Sequence, residues 1–151
     1  VVDADALNLL AASPRRRADW ILTPHPGEAG RLLGWSAAGG QGDRLQAAAE
    51  LVARFGGVAV LKGACTLVQG GDGLPWVCDR GNPGMATAGM GDVLTGAIAG
   101  LLGQLREPEI AAATGVLAHA LAGDRAAAGG GERGLLASDV LAALRACVNP
   151  A

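Results

Sequence analysis

Apolar positions along this chain fall into two kinds of run, short and unbroken or long and helically spaced, and the two alternate. Val1 and Val2 close a strand at Asp3, and Ala4–Ala12 follows with Leu7, Leu9 and Leu10 at a mixed helical spacing. Trp20, Ile21, Leu22 and Thr23 form a second short run that Pro24 and Pro26 stop, which predicts a buried strand entering a loop. Pro26 suits the first turn of a helix, where its missing N–H costs nothing, and Glu28 then lies near the positive end of that helix. The small residues of 36–42 predict a loop, Asp43 caps a helix reaching Phe55, and Gly56 and Gly57 close it. Val58–Leu61 is a continuous apolar strand with Lys62 and Gly63 at its carboxyl end. Thr66–Gln69 and Trp76–Cys78 flank the turn signal of residues 70–73 and predict a hairpin. Three helical stretches finish the chain, near 92–104, 108–128 and 138–147, with Gly129–Gly131 separating the last two and Ser138 or Asp139 available as a cap.

Buried strands without polar alternation, each followed by a helix, predict an α/β architecture, a mostly parallel sheet flanked by helices. In such sheets ligands bind beyond the carboxyl ends of the strands. Residues 23–28, 62–66 and the glycine-rich stretch from Gly81 all fall on that edge. With 151 residues the chain fits one domain over 1–151, a size that buries roughly two-thirds of its unfolded surface. Three Trp, one Phe and no Tyr leave the core to Ala, Val, Leu and Ile.

A formal charge of -2 gives no argument for nucleic acid or a membrane surface, so the expected partner is a small molecule. Arg15–Arg17 reads as a solvated loop. Cys65, Cys78 and Cys147 show no metal or disulfide spacing and suit reduced thiols in a cytoplasm. The longest apolar run, Val93–Leu105, is broken by Thr95 and Gln104 and falls short of the ~20 residues that span a bilayer. The chain opens on a strand end without Met, which predicts the C-terminal part of something longer.

The stretch GNPGMATAGMGDVLTG, residues 81–96, sets glycines around one carboxylate, Asp92, where an apolar helix begins. Glycine amides approach a ligand closely, and a helix start adds unpaired N–H groups, so the loop has the makings of an anion hole. An acid there would repel a phosphate unless it faces the attacking hydroxyl instead and takes its proton. The same residues also fit an N-cap and a turn. Neither GxxxxGK[ST] nor GxGxxG is present in this stretch.

GNPGMATAGMGDVLTG, with TPHPGE at 23–28, VLKGACTLV at 60–68 and DADALN at 3–8, closely resembles the ADP/ATP-dependent NAD(P)H-hydrate dehydratases of the ribokinase-like superfamily, over essentially the whole chain and in the same order. The resemblance implies repair of NADH and NADPH hydrated at C6. ADP, or ATP, phosphorylates the hydroxyl, and loss of phosphate restores the double bond. It implies Asp92 as the base and a substrate contact, His25 as a second substrate contact, Gly89 and Gly91 as the anion hole, and Glu28 beside Mg²⁺. Lys62, Gly63, Ala64, Cys65 and Thr66, with Gly91, would hold the nucleotide. Family members often carry Gly where this chain has Cys65, which otherwise reads as a small core residue.

Several residues are left open. Asn82 is placed to orient the loop. His119 and Asp124, one helical turn plus one residue apart, form no paired site, and His119 reads as a satisfied, partly buried side chain. Asp3 and Asp5 either line the cleft or cap the first helix. Family members carry a further segment upstream; without it an exposed sheet edge invites association, and a homo-oligomer is expected. The alternatives are another ribokinase-like small-molecule kinase, of the hydroxyethylthiazole or pyridoxine type, and a non-catalytic nucleotide-binding fragment.

Overall fold

A computed structural model of the chain describes residues 1–35, 43–71 and 73–149. The loop expected over 36–42 therefore lies outside the described residues, as does Asp72 of the hairpin turn. The elements are α1 (Ala4–Ala12), β1 (Ile21–Leu22), α2 (Pro26–Leu33), α3 (Arg44–Phe55), β2 (Val58–Leu61), β3 (Thr66–Gly70), β4 (Trp76–Cys78), a 3₁₀ turn (Pro83–Met85), α4 (Met90–Leu105), α5 (Pro108–Gly130) and α6 (Ala137–Val148).

The architecture is α/β, with a sheet flanked by helices. Among the described residues, however, the sheet is mixed and not mostly parallel. Its order is β1-β2-β3-β4. β1 pairs parallel with β2, and Val2 makes a parallel bridge to Leu22. A short turn over 62–65 reverses the chain after β2, so β3 pairs antiparallel with it, and the predicted hairpin sets β4 antiparallel to β3. A two-stranded return joined by a tight turn can pair in no other sense.

Alternation along the strands decides which helices cover which face. Leu22, Ala59, Leu61 and Leu67 point to a core completed by Leu7 and Leu10 of α1, Leu32 of α2, and Leu51 and Phe55 of α3. Ile21, Val58, Val60 and Val68 point the other way, onto Leu94 and Ile98 of α4 and Ala112 and Val116 of α5. Val58–Leu61 is buried at every position because both faces are covered, which is why it reads as an unbroken apolar run. α6 packs on the outside of α4 and α5 through Val140. No helix among the described residues is long and apolar enough to cross a membrane.

Helix ends follow the expected chemistry with small shifts. The Asp43 carboxylate accepts from the Gln46 N–H at 2.9 Å and caps α3. α4 begins two residues earlier than its apolar pattern, because Met90 and Gly91 already have helical backbone. α5 runs through Gly129 to Gly130, and Gly131, at φ 89°, ends it. Asp139 does serve the start of α6, but from its third position, by accepting from the Leu136 N–H at 2.9 Å.

Phe55 is fully buried in the first core. Phe55→Ala should lower unfolding free energy by about 3–5 kcal/mol, read from urea denaturation; a loss under about 1 kcal/mol would place the side chain outside the load of that core.

Candidate active site

Three chain segments meet at the carboxyl end of β2. The Lys62 N–H donates to the Pro24 carbonyl at 2.9 Å, tying the strand's end to the loop before α2. From there the Lys62 side chain reaches back to Asp3, with Nζ 3.0 Å from Oδ1, and lies 3.9 Å from Glu28 Oε2. The second Asp3 oxygen accepts from Thr95 Oγ1 at 2.9 Å. Asp3 occupies the N-cap position of α1 yet makes no side-chain cap bond. The backbone turns sharply at Ala4, φ 48°, and the carboxylate enters the cleft. Burial alone would raise the Asp3 pKa, but hydrogen bonding and charge attraction from Lys62, with hydrogen bonds from Thr95 and Thr23, bring it below its ordinary value. Of the two roles left open for Asp3, the structure selects the cleft.

His25 and Glu28 form a reciprocal cap at the start of α2. His25 Nδ1 accepts from the Gly27 and Glu28 N–H groups at 3.0 and 3.3 Å, and Glu28 Oε2 accepts from the His25 N–H at 2.8 Å. The cap fixes the imidazole so that Nε2 carries the proton in the neutral ring. The ring stays exposed while Glu28 is buried. Glu28 is thus held by the helix start and also faces the Lys62 ammonium.

The glycine-rich loop is tethered from α5. Asp124 accepts from the Gly81 N–H and from Asn82 Nδ2, both at 3.0 Å, and Asn82 Oδ1 accepts from the Gly84 N–H at 3.1 Å. Asn82 does orient the loop, and Asp124 is its partner. Gly89, at φ 84°, is the N-cap of α4, a conformation that favours glycine. Two residues on, a Cβ built at Gly91 would lie 3.3 Å from Lys62 Nζ and 3.6 Å from Asp3 Oδ2. Gly91 therefore leaves room for the lysine head as well as for any ligand. Asp92 follows in the first turn of α4, exposed and without a hydrogen bond to the described residues.

Between these parts lies a cavity of about 480 Å³, within the range of small-molecule sites. Lys62, Gly63, Ala64, Thr66 and Gly91 line it, together with loop residues from Arg80 to Met90 and the inner face of α5. Cys65, Gly89, Asp92, His25 and Glu28 are not part of its wall. Cys65 is exposed and not a core residue; it sits at the turn before β3, where the chain leaves the sheet. His119 is buried against the cavity, and its Nε2 has no partner among the described residues, contrary to the expected satisfied side chain. Burial lowers its pKa, opposed by a backbone group of Met90, and so favours the neutral imidazole.

A family model described as NAD(P)H-hydrate dehydratase matches residues 1–145. The chain belongs to this family. It is 57% identical over 150 residues to the bifunctional NAD(P)H-hydrate repair enzyme Nnr of Coxiella burnetii, covering 99% of this chain and 31% of that protein. The Escherichia coli enzyme of the same name is 54% identical over 148 residues, 98% of this chain and 29% of its own length. A crystal structure of the ADP/ATP-dependent NAD(P)H-hydrate dehydratase of Bacillus subtilis, co-crystallised with ATP/Mg²⁺ and soaked with CoA, superposes with a TM-score of 0.82 at 32% identity, covering 96% of this chain and 53% of that one. The chain thus spans about a third of the length of the curated relatives it matches and about half of the solved one.

Sequence reasoning missed Thr95 and left Asp3 and Asp124 without roles. Thr95 had a signal, as a hydroxyl breaking an apolar helix. A second signal was the lysine itself: Lys62 is the only lysine in the chain, beside eleven arginines. Asp124→Ala would remove the acceptor shared by the Gly81 N–H and Asn82 Nδ2, a loss of about 1 kcal/mol because the exposed Gly81 and half-buried Asn82 can turn to water. Amide hydrogen exchange across 81–86 should accelerate several-fold in that variant, and unchanged protection would remove Asp124 as the tether.

Proposed function

We propose that the chain carries the phosphoryl-transfer part of an ADP- or ATP-dependent NAD(P)H-hydrate dehydratase. The observation that carries this reading is the cavity bounded by the 62–66 segment and Gly91, with the only first-turn carboxylate of α4, Asp92, beside it. The nucleotide would lie along Lys62–Thr66, its phosphates toward Lys62 and the first turn of α4, whose N–H groups favour negative charge. Cys65, on the same segment but outside the cavity wall, would contribute through its backbone. The hydrate would enter from the Asp92 and His25 side, where both side chains are exposed.

In this scheme the ring hydroxyl oxygen attacks the terminal phosphorus, its proton passes to the Asp92 carboxylate, and the bond to the leaving nucleotide breaks. Main-chain N–H groups from Gly89 and Gly91 would stabilise charge on the moving phosphoryl group. Phosphate then leaves C6 with the bonding pair, and the neighbouring carbon gives up a proton to solvent as the double bond returns. Phosphate is a better leaving group than hydroxide, which is why kinase chemistry serves a dehydration.

The Glu28 carboxylate fits a magnesium ion bound jointly with phosphate. Among the described residues no group of three or more metal-ligating side chains converges, and Mg²⁺ typically takes one or two carboxylates plus substrate phosphates. Glu28 would hold it, and the ion would neutralise phosphoryl charge.

The direct test is nucleotide-dependent recovery of reduced-nicotinamide absorbance from hydrated NADH, supplied with ADP or ATP. Binding of ADP without turnover would instead favour a nucleotide-binding fragment that needs further chain. Asp92→Asn should cut turnover by about 10²-fold or more with nucleotide affinity largely intact; equal activity would remove Asp92 from the chemistry. Gly91→Val should weaken ADP binding, because its Cβ enters the space of Lys62 Nζ. Calorimetry showing unchanged affinity would contradict the proposed placement of the phosphates.

A further inference from the structure

The structure assigns Asp3, we propose, as a positioning residue for phosphoryl transfer. Its two oxygens hold the Lys62 ammonium and the Thr95 hydroxyl at once, setting the spacing between the chain's one lysine and the first turn of α4. The inference rests on the reading of the cleft given above and adds a residue to it.

Asp3 stands where an N-cap belongs and does not cap. Its oxygens are taken instead by groups from two distant elements, Lys62 Nζ at 3.0 Å and Thr95 Oγ1 at 2.9 Å. Thr95 lies one turn beyond Gly91 and Asp92 on α4, so the bond to Asp3 fixes the rotation of that helix about its axis and with it the direction of its first N–H groups. Lys62 is fixed by the other oxygen of the same carboxylate. The spacing between the cation and the amides is then set by one rigid group.

The identity of the cation supports a working contact over a merely structural pair. An arginine fork tends to engage a carboxylate with two parallel bonds. Lysine's compact ammonium has three donors: one goes to Asp3, Glu28 at 3.9 Å attracts the charge without taking a hydrogen bond, and donors remain for an anion. Gly91, with no Cβ 3.3 Å from Nζ, leaves the space in which that anion would sit.

Asp3→Asn, Thr95→Val and the double variant, made in the whole chain, test this. In the hydrate assay Asp3→Asn should lower kcat about tenfold or more while KM for ADP changes less than about threefold. Thr95→Val should do the same more weakly, and the double variant should be no worse than Asp3→Asn, because both act through one carboxylate. Wild-type kcat in Asp3→Asn would overturn the proposal, as would kcat and KM worsening together with a fall in Tm, which is the mark of simple structural damage. A second measurement separates this from failure of the functional reading. Isotope-labelled lysine gives one side-chain resonance in this chain, and ADP should shift it in the wild type and shift it much less in Asp3→Asn. If hydrate is not turned over but this pattern holds, the substrate assignment falls and the positioning role stands; a lysine resonance indifferent to ADP in the wild type overturns the positioning role.

Discussion

One ammonium between two carboxylates organises the cleft. Lys62 comes from the end of β2, Asp3 from the turn into α1 and Glu28 from the first turn of α2, so a single cluster ties together three segments that are remote in sequence. A pair of unit charges 4 Å apart is worth about 4 kcal/mol at an effective dielectric of 20. Removing the charges from water offsets much of that gain. The cluster therefore contributes little net stability and a great deal of definition. It fixes where positive charge stands relative to α4, and through Thr95 it fixes α4 as well.

The covered sheet makes that definition possible. Because both faces of β2 are buried, the strand cannot shift register without moving every side chain to the wrong face. Its carboxyl end, and with it Lys62, is placed by the core. The Pro24 carbonyl accepting from Lys62 N–H carries the same rigidity into the loop that begins α2. At the other side of the cavity the glycine-rich loop is held from α5, where Asp124 accepts from Gly81 and Asn82 and Met85 packs against the core around Ala122 and Val140.

The glycines of that loop do different things. Gly89 is required by its left-handed backbone at the start of α4. Gly91 is required by what stands next to it, since a side chain would press on the lysine head and on Asp3. The pairing places bare amides and a lysine side by side, with the exposed Asp92 one residue further on. Positive groups and the acid thus lie on adjoining surfaces of one helix start.

Much of this was legible in the chain. Unbroken apolar runs marked the buried strands, prolines and glycines marked the element ends, and Asp43 announced the helix it caps, because these are local properties set by backbone geometry and side-chain chemistry. The long motifs carried the family, and with it the segments that form the cleft. What the sequence did not contain was the antiparallel pairing of β3 with β2, the Nε2 of His119 left without a partner among the described residues, the exposure of Cys65, or the use of Asp3. Asp3 reads equally well as a cap from its neighbours alone. Only folding brings Lys62 and Thr95 to it, 59 and 92 positions away, and a choice between local and distant hydrogen-bond partners is decided by tertiary packing, since the distant ones exist only once both faces of the sheet are covered.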